Sequence, residues 1–176
     1  MEKAWEHSFV KGGVGVIIHL ESKLSEVIST EILVSKGCYA LLWYKKGKPR
    51  SIPRLKEKDK SGILYIGKAD KIKSRVGSLQ KTILNNSSSI LKEPIIQGHQ
   101  TLSKKFFRIR DNFEIDDFKI KIWNCPDDDP EEVESFLLES YVKQYAELPP
   151  LNGQYGKYEL DGIDLKCNIS IDLLNP

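Results

Sequence analysis

Residues 62–83, GILYIGKADKIKSRVGSLQKTI, decide the fold because they join a short apolar run to an amphipathic one. The first part, Gly62 to Gly67, is apolar and aromatic and is bounded by glycine, which is typical of a buried strand. Apolar residues then recur at intervals of four, three and four, as on the buried face of a helix, with Asp70 as the predicted N-cap. These residues are Ile72, Val76, Leu79 and Ile83. The stretch therefore predicts a strand followed by a helix.

Strands and helices are also predicted on either side of this unit. Gly37 to Trp43 (GCYALLW) is a second apolar run, and Phe118 to Trp123 (FKIKIW) alternates apolar residues with lysine, as a strand with one wet face does. A helix is predicted from Pro130 to about Glu147, because proline and acidic residues open it and Pro149-Pro150 stop it. The expected fold is an α/β domain with a small, mostly antiparallel mixed sheet flanked by helices.

The length of 176 residues favours one domain, in which three segments are distinguished. Residues 1–35 are predicted to form an extension that packs on the core, with a strand over 14–20 and a helix over 22–33. Residues 36–153 are predicted to form the core, and residues 154–176 a hairpin or tail around an Asp-Gly turn.

The composition excludes several classes of protein. Hydrophobic residues make up 40% of the chain, which is enough for a core and argues against a collagen-like or disordered chain. The longest apolar run, Val14 to Ile18, is far shorter than the roughly 20 residues that span a bilayer, and the amino terminus has no apolar signal-peptide stretch. We therefore expect a cytoplasmic protein without a membrane partner.

The three cysteines, Cys38, Cys125 and Cys167, are far apart and odd in number, and they form no CxxC pair. None of the three histidines stands in a metal-ligand spacing. We interpret the cysteines as core thiols and expect neither a disulfide framework nor a His/Cys metal cluster.

Charge is distributed unevenly along the chain. Residues 36–81 hold 14 Lys and Arg against three Asp and Glu, whereas residues 111–176 hold five Lys against 16 Asp and Glu. Residues 45–60, KKGKPRSIPRLKEKDK, carry eight basic residues and two prolines and are predicted to form a protruding loop. The two charged regions are either solvated faces or a basic surface for phosphates with an acidic region that folds against it or binds metal.

Two triplets then point to a known family. Gly37-Cys38-Tyr39 begins one predicted strand and Tyr65-Ile66-Gly67 ends the next, and together they resemble the signature triplets of the GIY-YIG nuclease family. The resemblance continues through Lys68 and Arg75, and it extends over residues 36–153. Two further positions match it: Glu139 in FLLESY and Asn152 in PPLNG. Cys38 replaces the family's isoleucine, and residues 45–60 lengthen the segment between the triplets.

The resemblance implies a metal-dependent DNA endonuclease that hydrolyses phosphodiester bonds. It implies that Tyr39 and Tyr65 share the activation of water, supported by Lys68, with Tyr39 slightly favoured as the base. It also implies that Arg75 contacts the scissile phosphate and that Asn152 braces the site.

The resemblance further implies that Glu139 holds one divalent cation, Mg²⁺ or Mn²⁺, on oxygen ligands. His99 in QGHQTLSKK is a candidate for a second proton-transfer group or a phosphate contact. Each residue also has a structural alternative. The tyrosines can be ordinary strand aromatics, Arg75 can cover the apolar stripe of its helix, and Glu139 lies outside the apolar arc of its helix and can face solvent.

Double-stranded DNA is the expected partner, and a palindromic site would suggest a homodimer. The preferred biology is a restriction-type enzyme, because no DNA-binding module follows the core; a repair or homing-type nuclease and a non-catalytic nucleic-acid-binding module are the alternatives. The basic loop is expected to grip DNA beside the scissile phosphate, because it joins the two strands that carry the triplets. The residues predicted to contact DNA are Lys45, Lys46, Lys48, Arg50, Arg54, Lys71 and Lys73.

Overall fold

The computed structural model of the protein describes residues 15–167 and Ile169. Its strands are β1 (Gly15–His19), β2 (Gly37–Lys45), β3 (Lys48–Pro49), β4 (Ile52–Pro53), β5 (Lys58–Asp59), β6 (Ile63–Ala69) and β7 (Phe118–Asn124). Its α-helices are α1 (Leu24–Val27), α2 (Thr30–Val34), α3 (Ile72–Asn86), α4 (Gln100–Ile109) and α5 (Pro130–Tyr145). Short 3-10 turns cover Arg110–Asn112, Ile115–Asp117 and Leu160–Gly162.

The main sheet is built around β2. Strand β7 pairs with one side of β2 and with β1, strand β6 pairs with the other side of β2, and β3 pairs with its far end. Every pairing between the described strands is antiparallel, so the sheet is not mixed. The predicted α/β class with a small sheet flanked by helices is confirmed. Strand β1 is part of this sheet and lies in the segment predicted as an extension; Val14 and the residues before it lie outside the described residues.

Strand β2 is buried on both faces, which explains its continuous apolar sequence. Tyr39 and Leu41 point to the side covered by α3 and α4, where the apolar stripe of α3 packs. Cys38, Ala40 and Leu42 point to the opposite side, which is covered by α5. The sheet is therefore the middle layer of three, and the helices on its two sides can bring side chains to a common edge.

Gly37 is required by the close approach of β2 and β7. It pairs with Asn124 on one side and with Ala69 on the other. A Cβ atom at this position would lie well under 3.0 Å from the backbone carbonyl oxygen of Trp123, which side-chain rotation cannot relieve. The glycine of the first triplet is thus explained by backbone packing alone.

The helix predicted over residues 22–33 is instead two short helices, α1 and α2. Ile28 and Ser29 between them have extended backbone dihedrals. In one continuous helix Leu24 and Leu33 would point in opposite directions, since nine residues at 100° each amount to two and a half turns. The break allows both leucines to be buried in the same core.

Two other local predictions need correction, and one helix was missed. The N-cap of α3 is Lys71 rather than Asp70. The hairpin predicted in the tail is absent among the described residues, where Leu160–Gly162 form a 3-10 turn. Helix α4 was not predicted, although Leu102, Phe106 and Ile109 have helical spacing. By contrast, the predicted start of α5 is confirmed, because the Asp129 side chain caps it by accepting the Glu131 N–H.

The basic segment over residues 45–60 is folded rather than a protruding loop. Lys46 and Gly47 both have positive φ and form the two-residue turn between β2 and β3, and β4 and β5 form a second hairpin. The segment ends on Asp59, which is fully buried and accepts hydrogen bonds from Ser61 N–H, Ile63 N–H and the Tyr141 hydroxyl. A buried carboxylate satisfied by three donors anchors the segment against α5.

No helix in the described part of the chain is both long and apolar enough to cross a membrane.

Replacing Gly37 by Ala is expected to lower the free energy of unfolding by about 1–3 kcal/mol, because β2 and β7 must move apart. The measurement is urea denaturation followed by circular dichroism. Gly77→Ala is the matched control: nothing lies within 4 Å of an added Cβ there, and alanine in the interior of α3 should stabilise the protein by about 0.5–1 kcal/mol. Equal stability of Gly37→Ala and the unchanged protein would contradict this account.

Candidate active site

The candidate site is built along the outer edge of β6. The side-chain oxygen of Asn152 accepts the Ile66 N–H at 2.9 Å, and its nitrogen donates to the Ile66 carbonyl at 2.8 Å, so that one amide substitutes for a neighbouring strand. Two residues further along, the Lys68 N–H donates to Glu134 of α5 at 3.1 Å. Asn152 and Glu134 are therefore held in place by the same strand edge.

Three aromatic rings meet beside this edge. The ring centroids of Tyr39 and Tyr65 are 6.2 Å apart. The His99 ring stands nearly perpendicular to both, at 6.3 Å from Tyr39 and 6.0 Å from Tyr65. The tyrosines lie on the same face of adjacent strands, because Tyr39 pairs with Gly67 and Tyr65 pairs with Leu41.

Gly67 makes this arrangement of rings possible. An added Cβ would lie 2.6 Å from the Tyr39 hydroxyl oxygen and 2.8 Å from a ring carbon of Tyr65. Only a residue without a side chain allows both rings to lie against the backbone of β6. The glycine of the second triplet thus has a steric reason that belongs to the site itself.

A cleft of about 230 Å³ opens in front of the rings. Five of its polar lining residues come from five different segments of the chain, namely β6, α3, the residue before α4, α5 and the segment after α5. These residues are Tyr65, Arg75, His99, Glu134 and Asn152. Because each comes from a different segment, the cleft depends on the whole fold.

The tyrosine hydroxyls are held in the protonated form. Burial raises the pKa of Tyr39 well above its ordinary value, with Tyr65 adding to the shift and Arg75 opposing it. Burial also raises the pKa of Tyr65, reinforced by the charge of Glu134 and opposed by Arg75. The Tyr39 hydroxyl is fully enclosed and makes no hydrogen bond of normal geometry within the described residues, whereas Tyr65 lines the cleft.

His99 is held in the neutral form. Burial lowers its pKa from 6.5 to about 4, and Arg75 strengthens the shift, while a loose contact with the Arg75 backbone opposes it. Neither ring nitrogen has a hydrogen-bond partner of normal geometry among the residues that the structure describes. A buried neutral imidazole with unpartnered nitrogens can accept a hydrogen bond or a proton from a molecule in the cleft.

Glu134 is the carboxylate of the cleft. Burial raises its pKa, whereas Lys68 and Arg75 oppose the shift. A single anchored carboxylate in a polar cleft suits Mg²⁺, which binds through one or two carboxylates and retains several waters. Asn152 is not a suitable ligand, because both polar atoms of its side chain are already bonded to Ile66.

Three of the predicted site residues do not line the cleft: Tyr39, which lies behind Tyr65, and also Lys68 and Glu139. Glu139 accepts the Gly156 N–H at 3.0 Å and is not among the residues that line the cleft, whereas Glu134 lines it. Lys68 donates from its ammonium to Glu131, which is also paired with Lys157. Burial alone would lower the pKa of Lys68, but Glu131 more than offsets this and raises it.

Helical periodicity identifies Glu134 where the order of motifs did not. At 100° per residue, Glu134 lies about 20° from Tyr141 and about 20° from Tyr145 around α5, within the buried arc. Glu139 lies about 160° from Tyr141. Carboxylates are rare on the apolar face of a helix, so the position of Glu134 on that face distinguishes it from Glu139. This difference can be read from the sequence alone.

The residues predicted to contact DNA are divided between two regions. Lys71 and Lys73 are exposed and line a second cleft, which shares Gly98 with the first. The basic segment over residues 45–60 begins at Lys45, six residues beyond Tyr39 and about 20 Å further along β2. We expected this segment to begin beside the site, but its first residue lies away from it.

The residues of the basic segment that were predicted to contact DNA differ in how exposed their side chains are. Lys46 and Lys48 are exposed, and Lys45 lies 3.8 Å from Asp117. Arg50 lies over the Trp43 ring. Arg54 is paired with Glu147 at 2.6 Å, and its side chain is only 10% exposed. A half-buried ion pair of this kind anchors the segment instead of presenting a free cation.

No family model, curated protein or solved structure matches this chain. The residues of the cleft themselves therefore carry the case for an activity.

The pH dependence of stability tests the buried state of His99. Since the folded protein has a pKa of about 4 against an ordinary 6.5, the unfolded chain takes up a proton that the folded one does not. The free energy of unfolding should therefore be unaffected by His99 above about pH 6.5 and fall by up to about 3 kcal/mol as the pH drops to about 4. His99→Gln should remove this part of the decrease, measured by urea denaturation at several pH values.

Replacing the exposed His19 by Gln provides the control for the loss of a histidine side chain at another position. If His99→Gln has the same profile as the unchanged protein, His99 is not held neutral by the fold.

Proposed function

We propose that this protein is a metal-dependent DNA endonuclease of the GIY-YIG type, which hydrolyses phosphodiester bonds in double-stranded DNA. The observation that carries the proposal is the convergence of Tyr65, His99, Arg75 and Glu134 on one cleft. A binding module has no need of a buried carboxylate and a neutral imidazole next to a guanidinium. In the hydrolysis of a phosphodiester, such groups can bind the metal ion, accept a proton and stabilise negative charge on the phosphate.

Arg75 is suited to the phosphate. It lines the cleft, and its positive charge acts on Tyr65, Glu134 and His99, which places it close to all three. A guanidinium can pair with two phosphate oxygens and stabilise the negative charge that develops as water attacks.

His99 and Tyr65 are suited to proton transfer. His99 is unprotonated at neutral pH and can accept a proton, and the negative charge of a bound phosphate would raise its pKa toward neutrality. Tyr65 is protonated and lies beside it, so its hydroxyl can orient the attacking water or relay the proton. Tyr39 lies behind Tyr65 and supports its position.

Glu134 would hold the divalent cation, Mg²⁺ or Mn²⁺. When bound, such an ion supplies positive charge to a phosphate oxygen and to the leaving oxygen. Glu134 itself contributes an anchored negative charge, since its carboxylate is fixed by the Lys68 N–H. The same charge raises the pKa of Tyr65, so neutralising it would also ease loss of the phenol proton.

Lys71 and Lys73 extend the proposal to the DNA backbone. Both stand at the start of α3, four and two residues from Arg75, and they line the cleft that adjoins the catalytic one. A strand whose scissile phosphate lies at Arg75 would pass these lysines. Their contacts with phosphates would be independent of sequence and sensitive to salt.

Glu134→Gln is expected to reduce Mg²⁺-dependent cleavage of plasmid DNA by about 10²-fold or more, because it removes the charge of the proposed metal ligand. Glutamine keeps an oxygen for the Lys68 N–H, so the fold and the affinity for DNA should change little. The measurements are single-turnover cleavage with Mg²⁺ or with chelator, and a gel-shift assay.

Glu139→Gln is the matched control on the same helix, where glutamine likewise keeps an acceptor for the Gly156 N–H. It should cleave at nearly the normal rate. Loss of cleavage in Glu139→Gln with normal activity in Glu134→Gln would identify Glu139, not Glu134, as the metal ligand. Retarded DNA without any cleavage by the unchanged protein would favour a binding module, and discrete fragments would favour a restriction-type enzyme over a repair or homing-type nuclease.

Tyr65→Phe is expected to slow cleavage by about 10²-fold or more, whereas Tyr39→Phe should have a smaller effect. Each change keeps the ring and deletes only the hydroxyl, and only the Tyr65 hydroxyl belongs to a residue that lines the cleft. Cleavage rates and melting temperatures of the two variants provide the comparison. A larger loss in Tyr39→Phe at equal thermal stability would assign the reacting hydroxyl to Tyr39.

A further inference from the structure

Three side chains of types that can bind a metal ion, two of them close in sequence and the third remote, meet on the α5 side of the sheet. Cys125 follows β7, Asp128 stands just before α5, and Cys167 lies in the carboxy-terminal segment. The two sulfur atoms and a carboxylate oxygen all lie within 4.8 Å of one another. The cluster shares no residue with the cleft that contains Glu134.

The donor atoms are directed inward. Cys125 is fully buried, Asp128 is 5% exposed, and Cys167 is half-buried. Both cysteines pack with the core between the sheet and α5. Their separation in the sequence led us to interpret them as isolated core thiols, and the fold brings two of the three together beside a carboxylate.

The Asp128 carboxylate is oriented by the segment that carries Cys167. One oxygen accepts the Lys166 N–H at 2.7 Å, and the other accepts the Cys167 N–H at 2.8 Å. Each oxygen keeps a second lone pair, and carboxylates that bind metals are commonly fixed by such outer hydrogen bonds. The loop before α5 and the carboxy-terminal segment are thereby held in register.

We propose that Cys125, Asp128 and Cys167 bind one Zn²⁺ ion. Two thiolates and one carboxylate suit zinc, whereas Mg²⁺ and Ca²⁺ prefer ligands that are all oxygen. At a Zn–S distance of about 2.3 Å, tetrahedral geometry places two sulfurs about 3.8 Å apart. The two sulfur atoms therefore need to close by about 1 Å or less, and water completes the fourth position.

Zinc binding at this cluster would clamp the carboxy-terminal segment to the start of α5, the helix that carries Glu134. Each thiol gives up its proton as the ion binds, so two protons are released for each Zn²⁺ and no oxidant is required. A disulfide between Cys125 and Cys167 is the rival outcome, and Zn²⁺ titration of the reduced protein distinguishes the two.

The test uses the full chain, reduced and freed of metal with a chelator, and titrated with Zn²⁺ against a chromophoric chelator. One equivalent should bind and raise the melting temperature. Co²⁺ in place of Zn²⁺ should produce thiolate-to-metal charge-transfer absorption and the visible bands of a tetrahedral ion, which a site made of oxygen ligands does not give.

Cys167→Ser and Asp128→Asn should each weaken Zn²⁺ binding by tenfold or more, with Cys167→Ser also losing much of the Co²⁺ charge-transfer band. Cys38→Ala removes the third thiol and should bind Zn²⁺ as the unchanged protein does. Glu134→Gln should bind it equally well, which separates this site from the proposed catalytic one. Circular dichroism of the metal-free variants establishes that they are folded.

Three results would overturn the proposal. The first is the absence of Zn²⁺ binding by the reduced protein. The second is undiminished binding by folded Cys167→Ser. The third is loss of the Zn²⁺ site in Glu134→Gln, which would place the ion in the cleft.

Discussion

The site depends on how the outer edge of β6 is covered. Among the described strands, β6 pairs only with β2, and its outward backbone groups are bonded by segments that follow β7 in the sequence. The Leu151 N–H donates to Leu64, the Asn152 side chain bonds both backbone groups of Ile66, and Glu134 accepts from Lys68. An uncovered edge strand would leave these groups unpaired and open to other chains, so the same bonds that complete the sheet also place two polar residues in the cleft.

The other side of the site depends on close packing over Gly67. The absence of a side chain there lets the rings of Tyr39 and Tyr65 lie against the strand, and His99 closes the group from the start of α4. Burial favours the uncharged form of all three groups, so it raises the pKa of the tyrosines and lowers that of the histidine. It keeps the tyrosines protonated and the histidine unprotonated, which supplies a proton donor and a proton acceptor within one cleft near neutral pH.

Local patterns in the sequence were sufficient for the elements that are regular and buried. Strand β2 follows from its continuous apolar run and α5 from its proline, acids and buried arc. The division of residues 22–33 into two helices could not be predicted in this way, because it is set by where Leu24 and Leu33 must point in the core. Helix α4 was missed although its apolar spacing was visible.

The candidate site was predictable only in part. The triplets brought Tyr39, Tyr65 and Arg75 to one region, and His99 was a weak candidate from residue type alone. Glu139 was chosen by the order of motifs, whereas the position of Glu134 within the apolar arc was the better physical signal. The meeting of Cys125, Asp128 and Cys167 depends on the path of the carboxy-terminal segment, which no local pattern indicates.

The proposed function requires that the cleft beside β6 receives a DNA phosphate. A crystal structure of Glu134→Gln bound to duplex DNA tests it most directly, since the variant should bind without cutting. We expect a backbone phosphate within hydrogen-bonding distance of Arg75 and His99, with the DNA strand continuing past Lys71 and Lys73. Duplex bound elsewhere on the protein, with no phosphate in the cleft, would contradict it.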